Sequence, residues 1–438
     1  MPLIIVAAGV LCLLILIVFF KLDAFIALII VALGVGIAEG MPVASAIKSI
    51  EEGVGSTLGS LALILGFGAM LGKMVGDSGA AQRITSFLIN KFGRSYIQWA
   101  LVITGFVVGI PMFYTAGFVI LIPIVFTVAA TTRLPLLYVG IPMVAALSVT
   151  HGYLPPHPAP TAIAVMYNAD IGLTLVYGII IAIPAIILAG PLFARLLTKY
   201  RPEPPKGLYQ PRVLAEEELP SFSNSIFTAL LPVILIVIAA LAKFVLDPES
   251  IWMSFFNFVG DPIIALLLSV IVAIFTLGLF RGRTMTEIMV TVKDSISSIA
   301  MILLVIGGGG AFKEVLVDSG VSDYVANMIT GTGISPLVLA WGISALLRVS
   351  LGSATVAALT TAGITLPMIA TSSVSPELMV LATGAGSLMF SHVNDPGFWI
   401  FKEYFNLTIV ETLSTWSVME TIVSVMGLVG VMLFSYFI

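Results

Sequence analysis

Two polar, proline-bearing breaks in otherwise apolar sequence constrain this chain more than any other feature. Residues 150–158 read Thr-His-Gly-Tyr-Leu-Pro-Pro-His-Pro and end a long apolar run; Phe390-Ser391-His392-Val393-Asn394-Asp395-Pro396 ends another. At a separation of 241 residues, His151 maps onto His392 and Pro155 onto Pro396. A lipid-facing helix does not accommodate such residues, because proline removes a backbone donor and every polar group needs a partner. Paired breaks at equivalent places in two halves are the mark of a carrier with discontinuous helices and a midplane site. All 3 histidines, His151, His157 and His392, lie in these breaks.

Composition agrees. With 59% apolar and 10% charged residues, and a mean hydropathy of +1.15, a soluble fold is excluded. A net charge of −4 argues against a nucleic-acid partner. The single cysteine, Cys12, sits in an apolar run and leaves neither a disulfide framework nor a zinc cluster. The histidines lack metal-ligand spacing, so no metal site is expected. Residues 2–20 lack the basic start and small-residue cleavage site of a signal peptide and read as the first span.

The fold class expected is an all-α polytopic membrane protein of two inverted repeats, each with five spans and one re-entrant hairpin, and with broken helices at the midplane. The repeats are 1–197 and 226–438, joined by a cytoplasmic linker, 198–225, with Pro202, Pro204, Pro205 and three consecutive glutamates. In the first half, 41–56 suits an interfacial helix and 57–75 a span. An amphipathic stretch, 76–94, follows, and then 96–130, an apolar run too long for one crossing, interrupted at Gly109-Ile110-Pro111. The second half replays this order: an amphipathic stretch at 283–297, a span at 298–317, an amphipathic stretch at 318–333, and a second overlong run, 335–369, interrupted at Gly352-Ser353. Short blocks recur in the same order, among them Asp77-Ser78-Gly79 with Asp318-Ser319-Gly320, and Tyr167-Asn168 with Phe405-Asn406. With both termini outside, 15 of the 19 Lys and Arg face the cytoplasm, which the positive-inside rule prefers. Charge does not separate this topology from one in which each overlong run crosses twice.

Two hairpin tips and two broken helices would converge on the site. Small and hydroxyl residues at the tips, including Tyr114, Thr115, Ser353 and Thr355, would leave half-helix N–H groups free for an anion. Arg348 lies inside an apolar run, at a cost of about 2.5–3.5 kcal/mol unless paired or hydrated, and its fork suits a carboxylate. A structural pair with Asp395 is the plainer alternative. Thr150, His151, His392 and Asn394 complete the candidate substrate-binding set. Asp395 and His151 are candidate proton carriers, although Asp395 beside Pro396 could instead cap a half-helix. His157, flanked by prolines, reads as lining the outer mouth.

Five motifs resemble the gluconate permease family over nearly the full length. They are Gly66-Phe67-Gly68-Ala69-Met70-Leu71-Gly72-Lys73, Ser148-Val149-Thr150-His151 with Leu154-Pro155-Pro156-His157-Pro158, Gly307-Gly308-Gly309-Gly310-Ala311-Phe312-Lys313, Gly352-Ser353-Ala354-Thr355-Val356-Ala357, and Ser391-His392-Val393-Asn394-Asp395-Pro396-Gly397-Phe398-Trp399. That family includes gluconate, idonate and D-serine carriers of bacterial inner membranes, and belongs to a wider ion-transporter superfamily of inverted repeats with paired hairpins. The resemblance implies a multi-pass inner-membrane protein that takes up a sugar acid together with protons. Members carry a glutamate in the first hairpin where this chain has Thr115.

The function expected is therefore secondary active transport, by proton-coupled symport of gluconate or a related sugar acid. The alternatives are a carrier of another small hydroxylated acid or a D-amino acid, with sodium as the coupling ion, or a channel. No nucleotide-binding loop and no catalytic dyad stands in the sequence, so neither a primary pump nor an enzyme is expected. No cofactor is expected beyond the coupling ion. The expected partners are a small carboxylate and the lipid bilayer, with a homodimer left open.

Overall fold

The structure is a computed structural model describing residues 2–200, 202, 214–321, 334–393 and 395–438, with only the backbone of residues 2, 3, 18, 60, 298, 370 and 371. The described residues are helical, and no strand occurs among them. By length and composition 7 helices among the described residues can cross a membrane, or up to 8 if a bent pair counts as one span. Two expected spans form shorter helices, Pro2–Val18 of 17 residues and Ala24–Ala38 of 15, joined at Lys21, whose φ is 57°. Asp23 starts the second by accepting from the Phe25 N–H at 2.8 Å.

Each half contains one unusually long helix, Val43–Asp77 and Met285–Asp318. The expected division at 41–56/57–75 and at 283–297/298–317 is thus corrected: the amphipathic and apolar stretches fuse. Neither contains an internal proline, so nothing stops propagation; the first bends by 43° between Gly59 and Leu61. The two pack antiparallel. Ser49 donates to Asp318 at 2.6 Å, Gly53 abuts Gly310, Leu58 abuts Gly307, and Gly66 faces Ile296.

Both overlong runs are helical hairpins. Ile97–Gly109 runs parallel to Leu136–Tyr153, since Gln98 bonds the Tyr138 carbonyl and Gly105 and Gly109 abut Met143 and Thr150. Tyr114–Thr132 runs antiparallel to it, with Gly117 at Leu147 and Val125 at Gly140. The run therefore reverses at 110–113, where Pro111 interrupts the helix. Its first arm, of 13 residues, is about 20 Å long against a hydrocarbon core of about 30 Å. In the second run, Pro336–Leu351 reverses at Gly352, whose φ of 75° few other residues adopt, into Ala354–Thr371.

The two breaks divide Leu136–Tyr153 from Pro158–Met166 and Pro376–Gly386 from Pro396–Tyr404. Each second half opens on a proline, whose missing N–H costs nothing at a helix start. The expected span 375–391 is accordingly a helix of only 11 residues. Both short half-helices end on a left-handed asparagine, Asn168 (φ 53°) and Asn406 (φ 50°), each preceded by a buried aromatic. Gly79 and Gly320 likewise share φ values of 80° and 77°. Most of the expected amphipathic stretch 318–333, and much of the linker, lie outside the described residues. The linker's described end, 214–220, docks on the helix Ala80–Phe92, where Arg83 pairs with Glu216.

Candidate functional site

The hairpin tips meet the breaks. In the first half, the His157 ring reaches the carbonyl of Gly109, at the tip, with Nε2 at 2.8 Å. In the second half, His392 Nε2 reaches the Val349 carbonyl at the same distance, 2.8 Å. The carbonyl accepts, so each imidazole carries a proton on Nε2. Gly109 and Val349 are 240 residues apart, close to the repeat spacing. In structural role, then, His392 corresponds to His157, whereas alignment of the letters pairs it with His151. The outer-mouth expectation for His157 is corrected: it is only 2% exposed. His157 Nδ1 is left to accept, and His151 Nδ1 lies 3.4 Å away as a weak donor. That leaves His151 Nε2 as an acceptor.

Arg348 is buried on the second hairpin and pairs through Nη2 with Asp395, at the start of Pro396–Tyr404. Asp395 is held at both oxygens: Ser391 donates to the same carboxylate oxygen as Arg348, and the other caps the Gly397 N–H at 2.8 Å. Trp416 fixes Ser391 in turn, with Nε1 at 2.7 Å from its hydroxyl. The two sequence readings of Asp395, ion pair and cap, hold together. Arg348 Nε and Nη1 are buried with no partner among the described residues.

Tyr114 stands at the start of the first hairpin's second arm, its ring 6.4 Å from that of His151 and 5.6 Å from Trp416. Its hydroxyl is also buried without a described partner. Sequence reasoning missed Glu420, which is 1% exposed on Val418–Phe434. Its Oε1 is buried with no partner among the described residues, and Ser148, Arg348 and Asp395 act on the carboxylate electrostatically. One signal was available: it is the lone charged residue in the apolar run 412–438.

Tyr114, His151, Arg348 and Asp395 thus come together, joined by Glu420 and Ser148. The other described candidates make separate contacts. Thr115 is exposed. The Thr150 hydroxyl is spent on the Leu147 carbonyl at 2.9 Å. Ser353 caps its own helix at the Val356 N–H, and with Thr355 it lines a cavity of about 190 Å³ against Met301 and Val305. Beside the first tip a cavity of about 280 Å³ is lined by Lys73, Asp77, Pro111 and Met112. Asn394 lies outside the described residues. No group of three or more His, Cys, Asp or Glu side chains among the described residues could hold a metal ion.

Comparison with known proteins places this geometry. The profile of the GntP family permease matches residues 1–437. The Gnt-II system L-idonate transporter of Escherichia coli is 60% identical over 99% of this chain and 98% of its own. A high-affinity gluconate transporter of the same organism is 59% identical over 99% of each. The gluconate permease of Bacillus subtilis is 49% identical, again over 99% of each. Among solved structures, the fold is shared with MtrF of Neisseria gonorrhoeae (TM-score 0.64, 16% identity, 89% of this chain and 84% of that one). It is also shared with the YdaH transporter of Alcanivorax borkumensis (TM-score 0.59, 19% identity, 87% and 86%).

Proposed function

This chain belongs to the GntP permease family, making it a multi-pass membrane transporter rather than an enzyme, and we propose that it takes up gluconate or a closely related sugar acid such as idonate, driven by protons. The observation that carries the substrate class is Arg348. Its Nη2 is held by Asp395, which orients the fork, while Nε and Nη1 remain buried and unpartnered among the described residues. A buried guanidinium with idle N–H groups is poised for a carboxylate. The unpartnered Tyr114 hydroxyl and the His151 ring, 6.4 Å apart between ring centres, would serve as hydrogen-bond partners for hydroxyls. A site that leaves polar groups unpaired without its ligand rejects analogues lacking those hydroxyls. The relatives named for gluconate and idonate support the same cargo.

Movement would come from the hairpins. Two inverted halves are supported by the antiparallel long helices, the reversal of both overlong runs and the matched histidine–carbonyl bonds. Each tip would shift against its break and expose the Arg348 cluster to one side at a time. The test is uptake of labelled gluconate into proteoliposomes under an imposed pH gradient, then a sodium gradient, with idonate and D-serine as competitors. Accumulation driven by the pH gradient and blocked by idonate is expected. Accumulation driven only by sodium would overturn the coupling, and indifference to both sugar acids would overturn the cargo.

A further inference from the structure

We propose that Glu420 is the group that carries the coupling proton, an assignment that rests on the proton-driven reading above. Arg348 and Glu420 are the buried Arg, Lys, Asp or Glu side chains among the described residues. Arg348 has Asp395 as counter-ion, and Glu420 has none among the described residues. Glu420 Oε1 is buried without a described partner, and Ser148 acts on the carboxylate from Leu136–Tyr153. Asp395, by contrast, is held by Arg348, Ser391 and the Gly397 N–H, all of which favour the ionised form.

Charge balance then assigns the proton. One guanidinium and two carboxylates sum to −1 in a water-poor cluster, and a proton on Glu420 brings the sum to zero. An unpaired buried carboxylate is far costlier than a carboxylic acid that makes a hydrogen bond. A sugar-acid anion docking on the idle edge of Arg348 adds a second negative charge nearby. Proton binding at Glu420 and anion binding at Arg348 therefore reinforce each other, and by linkage each strengthens the other equally. The step is a simple transfer: Oε1 takes a proton from water on one side and returns it to water on the other, with no other bond changed.

The other ionisable and charged groups around the last helix are accounted for. His151 and Tyr153 lie on Leu136–Tyr153, Tyr177 on Ile171–Ile187, Arg348 on Pro336–Leu351, and Glu377 at the start of Pro376–Gly386. Tyr153 is occupied by the Val423 carbonyl, and Glu377 by Ser375 and the Asp170 N–H. Tyr114 and Asp395 face the cluster from the first hairpin and the second break.

Two measurements on the purified full chain and Glu420→Gln decide the matter. Infrared difference spectroscopy across neutral pH, without substrate, should show a protonated buried carboxyl in the wild type that is missing from Glu420→Gln. In proteoliposomes, Glu420→Gln should lose accumulation driven by a pH gradient while gluconate counterflow remains measurable. A wild type without the carboxyl band, or a variant that accumulates substrate like the wild type, overturns the proposal. Failure of the wild type to bind any sugar acid would sink the cargo assignment alone, because the infrared band still tests Glu420.

Discussion

Gly53 and Gly310 meet backbone to backbone where the two long helices pack: a β-carbon on Gly53 would stand 2.5 Å from the Gly310 carbonyl oxygen and 2.8 Å from the Ala311 α-carbon. Neither atom belongs to a side chain that could swing away. Gly53→Val should therefore part the helices and cost about 1–3 kcal/mol, as overpacking does in a close-packed interior. Gly55 lies on the exposed side, with nothing within 4 Å of its would-be β-carbon. Gly55→Ala should hold stability or raise it by about 0.5–1 kcal/mol. Thermal unfolding of the two variants in detergent checks the pair, and equal melting points would contradict the close approach.

The two histidine–carbonyl bonds differ in burial, and their removal should differ accordingly. His157→Ala strands the Gly109 carbonyl in a dry place, at a cost of about 1–3 kcal/mol. His392 is only half-buried, so water can replace its ring at Val349 and His392→Ala should unfold at a temperature closer to that of the wild type. Both variants should transport more slowly, since each loosens a tip. Melting curves beside initial uptake rates separate the two effects.

Hairpins and broken helices are legible in the sequence alone, because single residues dictate them locally. Pro111 and Gly352 stand where the overlong runs reverse, and Pro158 and Pro396 open the helices after the breaks, whereas prolines such as Pro142 and Pro232 stay inside helices. Continuity is not legible in this way, because fusion of 41–56 with 57–75 depends on a partner helix lying alongside rather than on any one residue. At the site, Arg348 and Asp395 announce themselves by being charged in apolar surroundings. Glu420 does so too, but it stands outside both breaks, and its nearness to Ser148 is set by packing between halves. The pairing of His392 with His157 is hidden for the same reason: equal letters at 241 residues favour His151, while the bond is chosen by where the tip carbonyl points.

A pH dependence should come from Asp170, which caps Ile171–Ile187 and ties the halves together through Lys243 at 2.5 Å. Partial burial pushes its carboxyl up, but the Lys243 ammonium and the Leu173 N–H outweigh that and hold it below the usual range. A depressed carboxyl stabilises the fold above its unfolded value of about 3.9 and loses that contribution as pH falls through the lower folded value. Asp170→Asn should therefore lower the melting temperature at neutral pH, and the gap to the wild type should close below about pH 4. A gap that persists unchanged into acid would refute the ion pair's role.

Arg348 and Asp395 give the sharpest separation of binding from structure. Removing one partner of a buried ion pair leaves the other uncompensated and typically costs about 3–5 kcal/mol. Asp395→Asn and Arg348→Gln should each destabilise the protein, and the double variant should recover part of the loss, because neither charge is then stranded. Binding should follow a different pattern. If Arg348 supplies the substrate's counter-ion, the double variant regains stability but not affinity for gluconate. Arg348→Lys keeps the charge and a contact with Asp395 but loses the fork, so it should fold well and bind at least about tenfold more weakly, a difference of about 1.4 kcal/mol. Melting curves and calorimetric titration with gluconate on all four variants give the answer. Wild-type affinity in Arg348→Lys or in the double variant would confine Arg348 to a structural role.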